Sequence, residues 1–292
     1  MITFNCYIVI NSTITMSSKE PVTFGTDGCV QDFTLDEGIL SLVAEISELM
    51  DALDSGPEAS RETIEASMIA SAQASTAIED NPMTVEQVAL AVAGRETGCH
   101  PRHVREVLNC HGCYRIRPSL DPLSEEDLLR AHGVMTMGLQ EDSGNYRDCG
   151  VGIWSGDRLI YRAPPAHMVP LMMTDLMDWL RASEHHPLVK ACVFHYEFET
   201  IHPFSDGNGR TGRLWQSVIM SDWKDCMKLV PYETEMLARR GRYYKAIRSS
   251  RQIRDTSPFI RFILETVRDT AKSAQHAISS MSSKNLSKTE VS

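Results

Sequence analysis

The chain has 292 residues, of which 29 are basic and 39 are acidic, so its formal net charge is −10 at pH 7. A chain of this length can bury a substantial hydrophobic core. The acidic balance argues against non-specific binding to nucleic acid or anionic membranes. No stretch of the sequence is long and apolar enough to span a bilayer.

The sequence predicts that residues 1–35 form a disordered or poorly ordered segment. The apolar run Ile8-Val9-Ile10 lacks a basic leader and a small-residue cleavage site, so it does not predict a signal peptide. Met1 and Met16 both remain candidate start residues. Eight cysteines in a chain without a secretory signal favour reduced thiols and a cytoplasmic protein.

From residue 36 onward, apolar residues recur at three- and four-residue steps, which is the period of amphipathic helices. The sequence therefore predicts an all-α fold, with an N-terminal helical region over 36–113, a core over 114–278 and a Ser- and Lys-rich flexible tail over 279–292. The predicted helices span 36–53, 60–79, 84–93, 103–113, 124–139, 167–180, 187–201, 210–220, 233–249 and 257–277.

A candidate metal motif lies in the N-terminal region, where Cys110 and Cys113 flank His111, with Cys99, His100 and His103 nearby. The sequence lacks a second Cys-x-x-Cys pair, and these residues fall within a helical pattern. Packing is therefore favoured over a zinc site, which stays the alternative.

One β-hairpin interrupts the helical pattern. Residues 151–154 and 158–161 have strand-like composition and flank the turn sequence Ser155-Gly156-Asp157. A lone hairpin is marginally stable in water, so we expect this one to pack against other elements.

The most informative segment spans residues 202–213 and reads His-Pro-Phe-Ser-Asp-Gly-Asn-Gly-Arg-Thr-Gly-Arg. Its glycine spacing also occurs in dinucleotide-binding loops, but those follow a strand, and residues 187–201 are helical in pattern. A Walker-type loop needs Lys-Ser or Lys-Thr where Arg213-Leu214 stands. A glycine turn before a helix still directs N–H groups and the positive helix end toward one place, so the segment predicts an anion site.

Side chains around this turn supply the remaining chemistry. His202 has an unperturbed pKa near neutrality and is the candidate base, and Asp206 is an oxygen ligand suited to Mg²⁺. Arg210 and Arg213 lie three residues apart, so they would share a helix face and bind further phosphate oxygens. Each residue alone is more often a structural or solvated side chain, but their occurrence in one run favours a functional site.

This run matches, without a gap, the signature His-x-Phe-x-(Asp or Glu)-Gly-Asn-Gly-Arg-x-x-Arg. The chain resembles the Fic family, whose members mostly transfer AMP from ATP to a protein hydroxyl. The resemblance implies a Fic-fold helical bundle with a flap hairpin, ATP as substrate and Mg²⁺ as cofactor. It implies that His202 deprotonates the target hydroxyl and that Asp206 holds the magnesium ion. Phosphate binding would fall to Gly207, Asn208, Gly209, Arg210 and Arg213.

Doc-like relatives, which transfer phosphate instead, usually carry Lys where this chain has Gly209. The resemblance therefore favours AMP transfer, by in-line attack of a Ser, Thr or Tyr oxygen on the α-phosphorus with release of pyrophosphate. It extends over about residues 60–268, and only the run at 202–213 is strongly specific.

Ser75 and Glu79 resemble the Fic inhibitory motif (Ser or Thr)-x-x-x-Glu-(Gly or Asn). Asp80 stands where the family has Gly or Asn, which removes a favoured helix terminator. The resemblance implies an inhibitory helix over about residues 60–80, and we expect Glu79 to pair with Arg210. The alternative is that Glu79 is an exposed last-turn residue, whose ion pairs are worth little.

Two further matches concern ligands. The hairpin resembles the family's flap, which pairs its edge with an extended segment of the target protein. Residues 241–246 resemble the helix whose tyrosine approaches the adenosine, so Tyr243 and Tyr244 are the candidates. The alternatives are an ordinary surface hairpin and tyrosines that pack in the core.

The sequence thus predicts a protein adenylyltransferase restrained by Glu79. In some relatives the same glutamate helps a water remove AMP, so a reverse activity remains open. The alternative is a nucleotide-sensing interaction module with little catalysis, but phosphate binding needs no base, so His202 and Asp206 favour the enzyme. The expected partner is the target protein, with no nucleic acid and no membrane; a homo-oligomer remains open.

Overall fold

The structure is a computed structural model that describes residues 30–155 and 158–289. Helices dominate these residues, and one antiparallel pair of strands accompanies them, which confirms the predicted all-α fold with a hairpin. The helices are α1 (Glu37–Asp54), α2 (Arg61–Ile78), α3 (Val85–Val92), α4 (Pro101–Ile116), α5 (Glu125–Met135), α6 (Val169–Ala182), α7 (Pro187–Ile201), α8 (Asn208–Trp223), α9 (Glu233–Ala238), α10 (Arg240–Ile253) and α11 (Ser257–Thr289). The strands are β1 (Gly152–Ser155) and β2 (Arg158–Arg162).

The ends of several helices follow directly from local sequence. Helix α7 begins at Pro187, a residue suited to a first turn, and ends at His202 in a left-handed conformation, so its predicted span of 187–201 is confirmed. Side-chain caps that accept from the N–H three residues on precede α1, α2, α3 and α5, at Asp36, Ser60, Thr84 and Ser124.

Other helix boundaries differ from the prediction. The span 233–249 divides into α9 and α10 at Arg239. Helix α11 continues through the predicted flexible tail as far as Thr289, in a stretch whose sequence contains no Gly or Pro to end a helix. Residues 290–292 lie outside the described part of the chain.

The N-terminal segment also differs in part from the predicted disorder. Residues 1–29 lie outside the described residues, whereas residues 30–35 pack on the core. The Gln31 N–H donates to Glu197 Oε1 (2.9 Å), and the Phe33 ring packs edge-on against Trp179. These contacts hold the segment in place.

The main hydrophobic cluster draws on every helix except α3, whose buried residues form a smaller second cluster with Met83 and Val107. Helix α7 lies inside the main cluster, with buried side chains on all its faces, including Val193, Phe194, Tyr196 and Phe198. Helix α8 packs beside α7, so the loop that joins them is held between two buried elements. None of the helices in the described residues is long and apolar enough to cross a membrane.

The hairpin is anchored on α7, close to the loop. The Tyr161 hydroxyl donates to the Thr200 carbonyl oxygen (2.6 Å), and the Arg251 guanidinium lies 3.6 Å from the centre of the Tyr161 ring. The two predicted strands are confirmed. The turn residues 156–157 lie outside the described residues.

Candidate active site

The loop between α7 and α8 is fixed by hydrogen bonds within itself. The Asn208 side chain bonds to Phe204 twice: Oδ1 accepts from the Phe204 N–H (2.9 Å), and Nδ2 donates to its carbonyl oxygen (2.8 Å). His202 and Gly207, at the two ends of the loop, are both left-handed, with φ of 52° and 80°. The Asn208 side chain therefore shapes the loop, and the group that Asn208 offers to an anion is its main-chain N–H.

The first turn of α8 attracts an anion. The first intrahelical hydrogen bond runs from the Thr211 N–H to the Gly207 carbonyl oxygen (2.9 Å), so the N–H groups of residues 208–210 precede the helical ladder. These groups and the positive end of the helix dipole favour negative charge. Glycine is required at residue 207 for two reasons. A Cβ there would meet the Thr136 side chain, and the backbone has a positive φ that other residues rarely adopt.

His132, on α5, supports this loop and was not predicted from the sequence. Its Nδ1 accepts from the Gly144 N–H (3.0 Å), so its Nε2 carries the proton and donates to the Asp206 carbonyl oxygen (2.9 Å). The ring stacks on Phe204 with 3.5 Å between centroids. Burial lowers the pKa of His132 to about 4, which keeps the ring neutral. No sequence pattern indicates this role, because the contact joins residues 74 positions apart.

Arg147 holds the loop at its His202 end. Its guanidinium donates to the carbonyl oxygens of His202 (2.8 Å), Cys149 (2.8 Å) and Pro164 (2.6 Å). Cys149 precedes the hairpin and Pro164 follows it. One buried side chain therefore ties both ends of the hairpin to the main chain of the candidate base.

The His202 imidazole is in the state that a base requires. Its residue is only 7% exposed, and burial lowers the pKa of the imidazole below its ordinary 6.5, while the negative charge of Glu199 opposes that shift. The ring is therefore neutral near pH 7 and can accept a proton.

Arg213 is fully buried and is held by the predicted inhibitory motif. Its Nε donates to Ser75 Oγ (2.9 Å), and its Nη2 donates to the Ser75 carbonyl oxygen (2.8 Å) and to Glu79 Oε1 (2.8 Å). The expected pairing of Glu79 with Arg210 is therefore wrong. Both arginines lie in the first turns of α8, and the direction from which α2 approaches decides which one the glutamate meets.

The Glu79 carboxylate lies over the first turn of α8. A side chain on residue 209 would collide with Glu79 Oε1, and it would also come within 3.1 Å of Arg213 Nη1. The carboxylate therefore occupies the place to which the helix start attracts an anion.

Arg210 pairs with two other carboxylates. Its Nη1 lies 2.6 Å from Glu106 Oε1 of α4, and its Nη2 lies 3.0 Å from Asp206 Oδ1. Glu106 was not predicted as a site residue. It is one acidic residue among many in the N-terminal region, and only the packing of α4 near α8 brings it to the loop.

Asp206 is the residue that could hold a magnesium ion together with a phosphate. The described residues contain no group of three or more His, Cys, Asp or Glu side chains that could hold a metal ion by themselves. Mg²⁺ is commonly bound by one or two carboxylates together with substrate phosphates and water. The Asp206 side chain, 14% exposed and next to the anion-attracting turn, matches that requirement.

The side chains of the candidate zinc motif have other partners. The Cys113 thiol donates to the Ala131 carbonyl oxygen (3.4 Å), and His111 Nε2 lies 2.9 Å from Glu65 Oε1. Both cysteines of the motif are buried in the core cluster, so packing accounts for them.

The two candidate adenosine tyrosines lie in different environments. Tyr243 is 1% exposed, its hydroxyl lies 3.2 Å from His195 Nε2, and its ring packs near Phe259. Helix α10 turns the Tyr243 side chain into the core, which favours the alternative that Tyr243 packs there. Tyr244 is half-buried, and its hydroxyl donates to the Ile78 carbonyl oxygen (3.3 Å) beside the inhibitory motif, so it stays the candidate.

Fold and site together define a helical bundle with a histidine, a glycine turn and two arginines at the start of a buried helix. A match to the Fic/DOC family covers residues 122–220. A solved Fic family protein from Desulfovibrio desulfuricans G20 is 40% identical to this chain, with a TM-score of 0.80 over 85% of this chain and 77% of that one. The chain belongs to the Fic family.

Curated relatives carry enzyme names. Protein adenylyltransferase Fic of Nematostella vectensis is 26% identical over 245 residues, which cover 78% of this chain and 54% of that protein. Protein adenylyltransferase fic-1 of Caenorhabditis elegans is 29% identical over 155 residues, which cover 52% of this chain and 28% of that protein. The chain thus spans about half of the first relative and a smaller part of the second.

Proposed function

We propose that this protein transfers AMP from ATP to a Ser, Thr or Tyr hydroxyl of a target protein. The observation that carries the proposal is the neutral, buried imidazole of His202 beside an anion-attracting helix start. A site that only bound phosphate would need the turn and the arginines but no proton acceptor. The adenylyltransferase names of the two curated relatives support the same activity.

In this reaction the residues of the loop position groups and stabilise charge. The target hydroxyl oxygen attacks the α-phosphorus, and His202 accepts the hydroxyl proton. The new oxygen–phosphorus bond forms as the bond from the α-phosphorus to the bridging oxygen breaks, and pyrophosphate leaves. The N–H groups of residues 208–210 and the guanidinium groups of Arg210 and Arg213 would stabilise the phosphate oxygens.

Asp206 is the residue that would hold the magnesium ion, which neutralises phosphate charge when bound. The Asp206 main chain is already fixed by His132 Nε2 at 2.9 Å. We therefore expect the carboxylate to stay at the start of α8 whether or not nucleotide is bound.

We further propose that Glu79 inhibits the enzyme because its negative charge pairs with Arg213 and its carboxylate occupies the place of a phosphate group. Its carboxylate lies over Gly209, where phosphate would bind, and pairs with Arg213 at 2.8 Å. A triphosphate would have to displace it and would otherwise bind in an unproductive pose. The hairpin edge is the proposed docking place of the target, and removal of AMP with help from Glu79 is a second proposed activity of this site. We expect the protein to act in the cytoplasm.

Labelled ATP tests the proposal. The wild type, Glu79→Gly and the double variant Glu79→Gly/His202→Ala are incubated with Mg²⁺, a cell lysate and ATP labelled at either the α- or the γ-phosphate. We expect Glu79→Gly to transfer the α-label to protein and not the γ-label, and the double variant to transfer neither. Glu65→Gln, on the same helix but paired with His111 instead, is the matched control and should behave as the wild type.

Two outcomes would overturn the proposal. Transfer of the γ-label would indicate a phosphotransferase. Retention of ATP binding without any transfer by Glu79→Gly would favour the nucleotide-sensing module.

A further inference from the structure

The two arginines of the turn are held by different elements. Arg213 is held by α2, whereas Arg210 is held by Glu106 of α4, with 2.6 Å between Arg210 Nη1 and Glu106 Oε1. The Arg210 side chain is 3% exposed and the Glu106 side chain is 18% exposed, so this ion pair is largely out of water. A pair in such a place is strongly destabilised when one partner is removed, because the other charge stays buried.

Glu106 is itself fixed from its other side. The Asn81 side-chain amide donates to Glu106 Oε2 (2.8 Å) and to the His103 carbonyl oxygen (3.2 Å). The Asn81 side-chain oxygen accepts from the Met83 N–H (3.1 Å). Both oxygens of Glu106 therefore have a partner, and the carboxylate is set in place independently of the loop.

The second partner of Arg210 is Asp206, at 3.0 Å from Nη2. A magnesium ion on Asp206 would take up the negative charge of that carboxylate and would repel the guanidinium. Glu106 is already in contact with Arg210, so the guanidinium keeps one carboxylate beside the phosphates when Asp206 turns to the metal. Without Glu106, Asp206 would be the nearer counter-charge, and Arg210 would compete with the metal for it.

We propose that Glu106 is a positioning residue that holds Arg210 so that Asp206 can bind magnesium. This inference rests on the proposed function, because it assumes a magnesium-bound nucleotide at the turn. Glu106 touches neither the substrate nor the reacting atoms and acts through Arg210.

The test measures magnesium binding separately from catalysis. Glu106→Gln is introduced into the Glu79→Gly variant. Glutamine keeps the size of the Glu106 side chain and removes its charge. The dissociation constant of Mg²⁺ is measured by calorimetry in the presence of a saturating non-hydrolysable ATP analogue. The Mg²⁺ concentration for half-maximal AMP transfer is measured in parallel.

We expect both quantities to rise roughly tenfold, the scale on which partners of metal-ligating groups affect metal affinity. The rate at saturating Mg²⁺ should stay close to that of the parent. Glu65→Gln in the same background should change neither quantity. If Glu106→Gln fails to fold, Asn81→Ala releases Glu106 Oε2 without a change in net charge, and it should raise both quantities to a smaller extent.

The outcomes separate this inference from the proposed function. An unchanged dissociation constant in a folded Glu106→Gln variant, or in Asn81→Ala if that is the folded one, overturns the inference alone. If Glu106→Gln raises the dissociation constant of Mg²⁺ but its Glu79→Gly parent transfers no AMP, the inference is supported and the proposed activity is contradicted.

Discussion

His202 and His132 are both buried histidines of this site, and they are held in different ways. Both ring nitrogens of His132 bond to main-chain groups, of Asp206 and Gly144, so the ring supports the loop and exchanges no proton. His202 is positioned through its main chain, whose carbonyl oxygen accepts from Arg147. Burial lowers the pKa of both rings, which keeps both neutral near pH 7.

The lowered pKa of His202 sets the pH dependence of AMP transfer. Burial lowers this pKa below 6.5, so the imidazole loses its ability to accept a proton only at more acidic pH. We expect the rate of Glu79→Gly to be flat at neutral pH and to fall roughly tenfold per unit below a midpoint under 6.5. Rates of label transfer between pH 5 and pH 8 measure this midpoint.

A companion variant checks the assignment of this midpoint to His202. Glu199→Gln removes the charge that opposes the shift and should move the midpoint to lower pH. A midpoint above 6.5 in the parent, or movement to higher pH in the companion, would contradict the assignment.

Because the pKa of His132 is lowered in the folded state, we expect the protein to lose folding stability in acid. Its pKa of about 4 in the folded state lies below the unfolded value of 6.5, so between these two values only the unfolded chain binds the proton. Stability from this group is complete above 6.5 and is lost as the pH falls toward 4, by about 3 kcal/mol. Urea unfolding of the wild type and His132→Gln at pH 7 and pH 4.5 measures it. The variant should lose less stability than the wild type over this range, and equal losses would contradict the prediction.

At the scale of elements, the end of α2 places Glu79, the glutamate proposed to inhibit the enzyme. The Asp80 N–H donates to the Ala77 carbonyl oxygen (3.0 Å) and the Asn81 N–H donates to the Thr76 carbonyl oxygen (3.1 Å), which is a Schellman-type helix end. Asp80 itself is left-handed, with φ of 69°. Aspartate therefore serves where the family signature has Gly or Asn, and the geometry that presents Glu79 is kept.

Two substitutions at residue 80 test this helix end. Asp80→Gly and Asp80→Ala both remove the ion pair with Arg240 (2.7 Å), but only glycine adopts the left-handed conformation without a steric cost. We expect the alanine variant to be less stable than the glycine variant by about 1 kcal/mol in urea unfolding. Equal stabilities would rule out a left-handed residue at this position.

The sequence predicts these elements well where the cause is local. Helix α7 is bounded by Pro187 and a glycine-rich loop. The roles proposed for His202 and Asp206 rest on their own chemistry and on one uninterrupted signature. The choice of Arg213 over Arg210 as the partner of Glu79 was not predictable, because the two arginines are close in sequence and only tertiary packing distinguishes them.

Distant contacts were not predictable either, and for the same reason. Periodicity places Tyr243 and Tyr244 on one helix, but it does not say which of them faces the core. The contacts of His132 and Glu106 with the loop join residues far apart in the chain, and neither residue belongs to a pattern that could have singled it out.

At the scale of the whole molecule, the N-terminal helices and the helices that flank the loop share the main hydrophobic cluster. Helix α1 packs against α11, and its buried residues belong to the same cluster as those of α7 and α8. The predicted boundary between the N-terminal region and the core therefore runs through this cluster, and the smaller cluster of Met83, Val88, Ala91 and Val107 lies within the N-terminal region. Helix α2, which carries the predicted inhibitory motif, contributes Ala72 and Ile78 to this shared cluster.

A shared core predicts one cooperative unfolding transition. Ile46 is fully buried on α1, and its replacement by alanine should lower the free energy of unfolding of the whole chain by roughly 2 to 5 kcal/mol. Leu40→Ala, on the exposed side of the same helix, should have little effect. Circular dichroism and tryptophan fluorescence should report one midpoint in each variant; separate midpoints in Ile46→Ala would indicate that α1 unfolds independently.

The central claim is that His202 drives AMP transfer at a site that the Glu79 carboxylate blocks. Intact-mass spectrometry of the purified protein after incubation with ATP and Mg²⁺ tests it most directly, because AMP attached to the chain itself is counted without knowledge of the target. We expect Glu79→Gly to gain the mass of AMP, and the wild type and Glu79→Gly/His202→Ala to stay unmodified. An unmodified Glu79→Gly, or a double variant that gains the same mass, would contradict the claim.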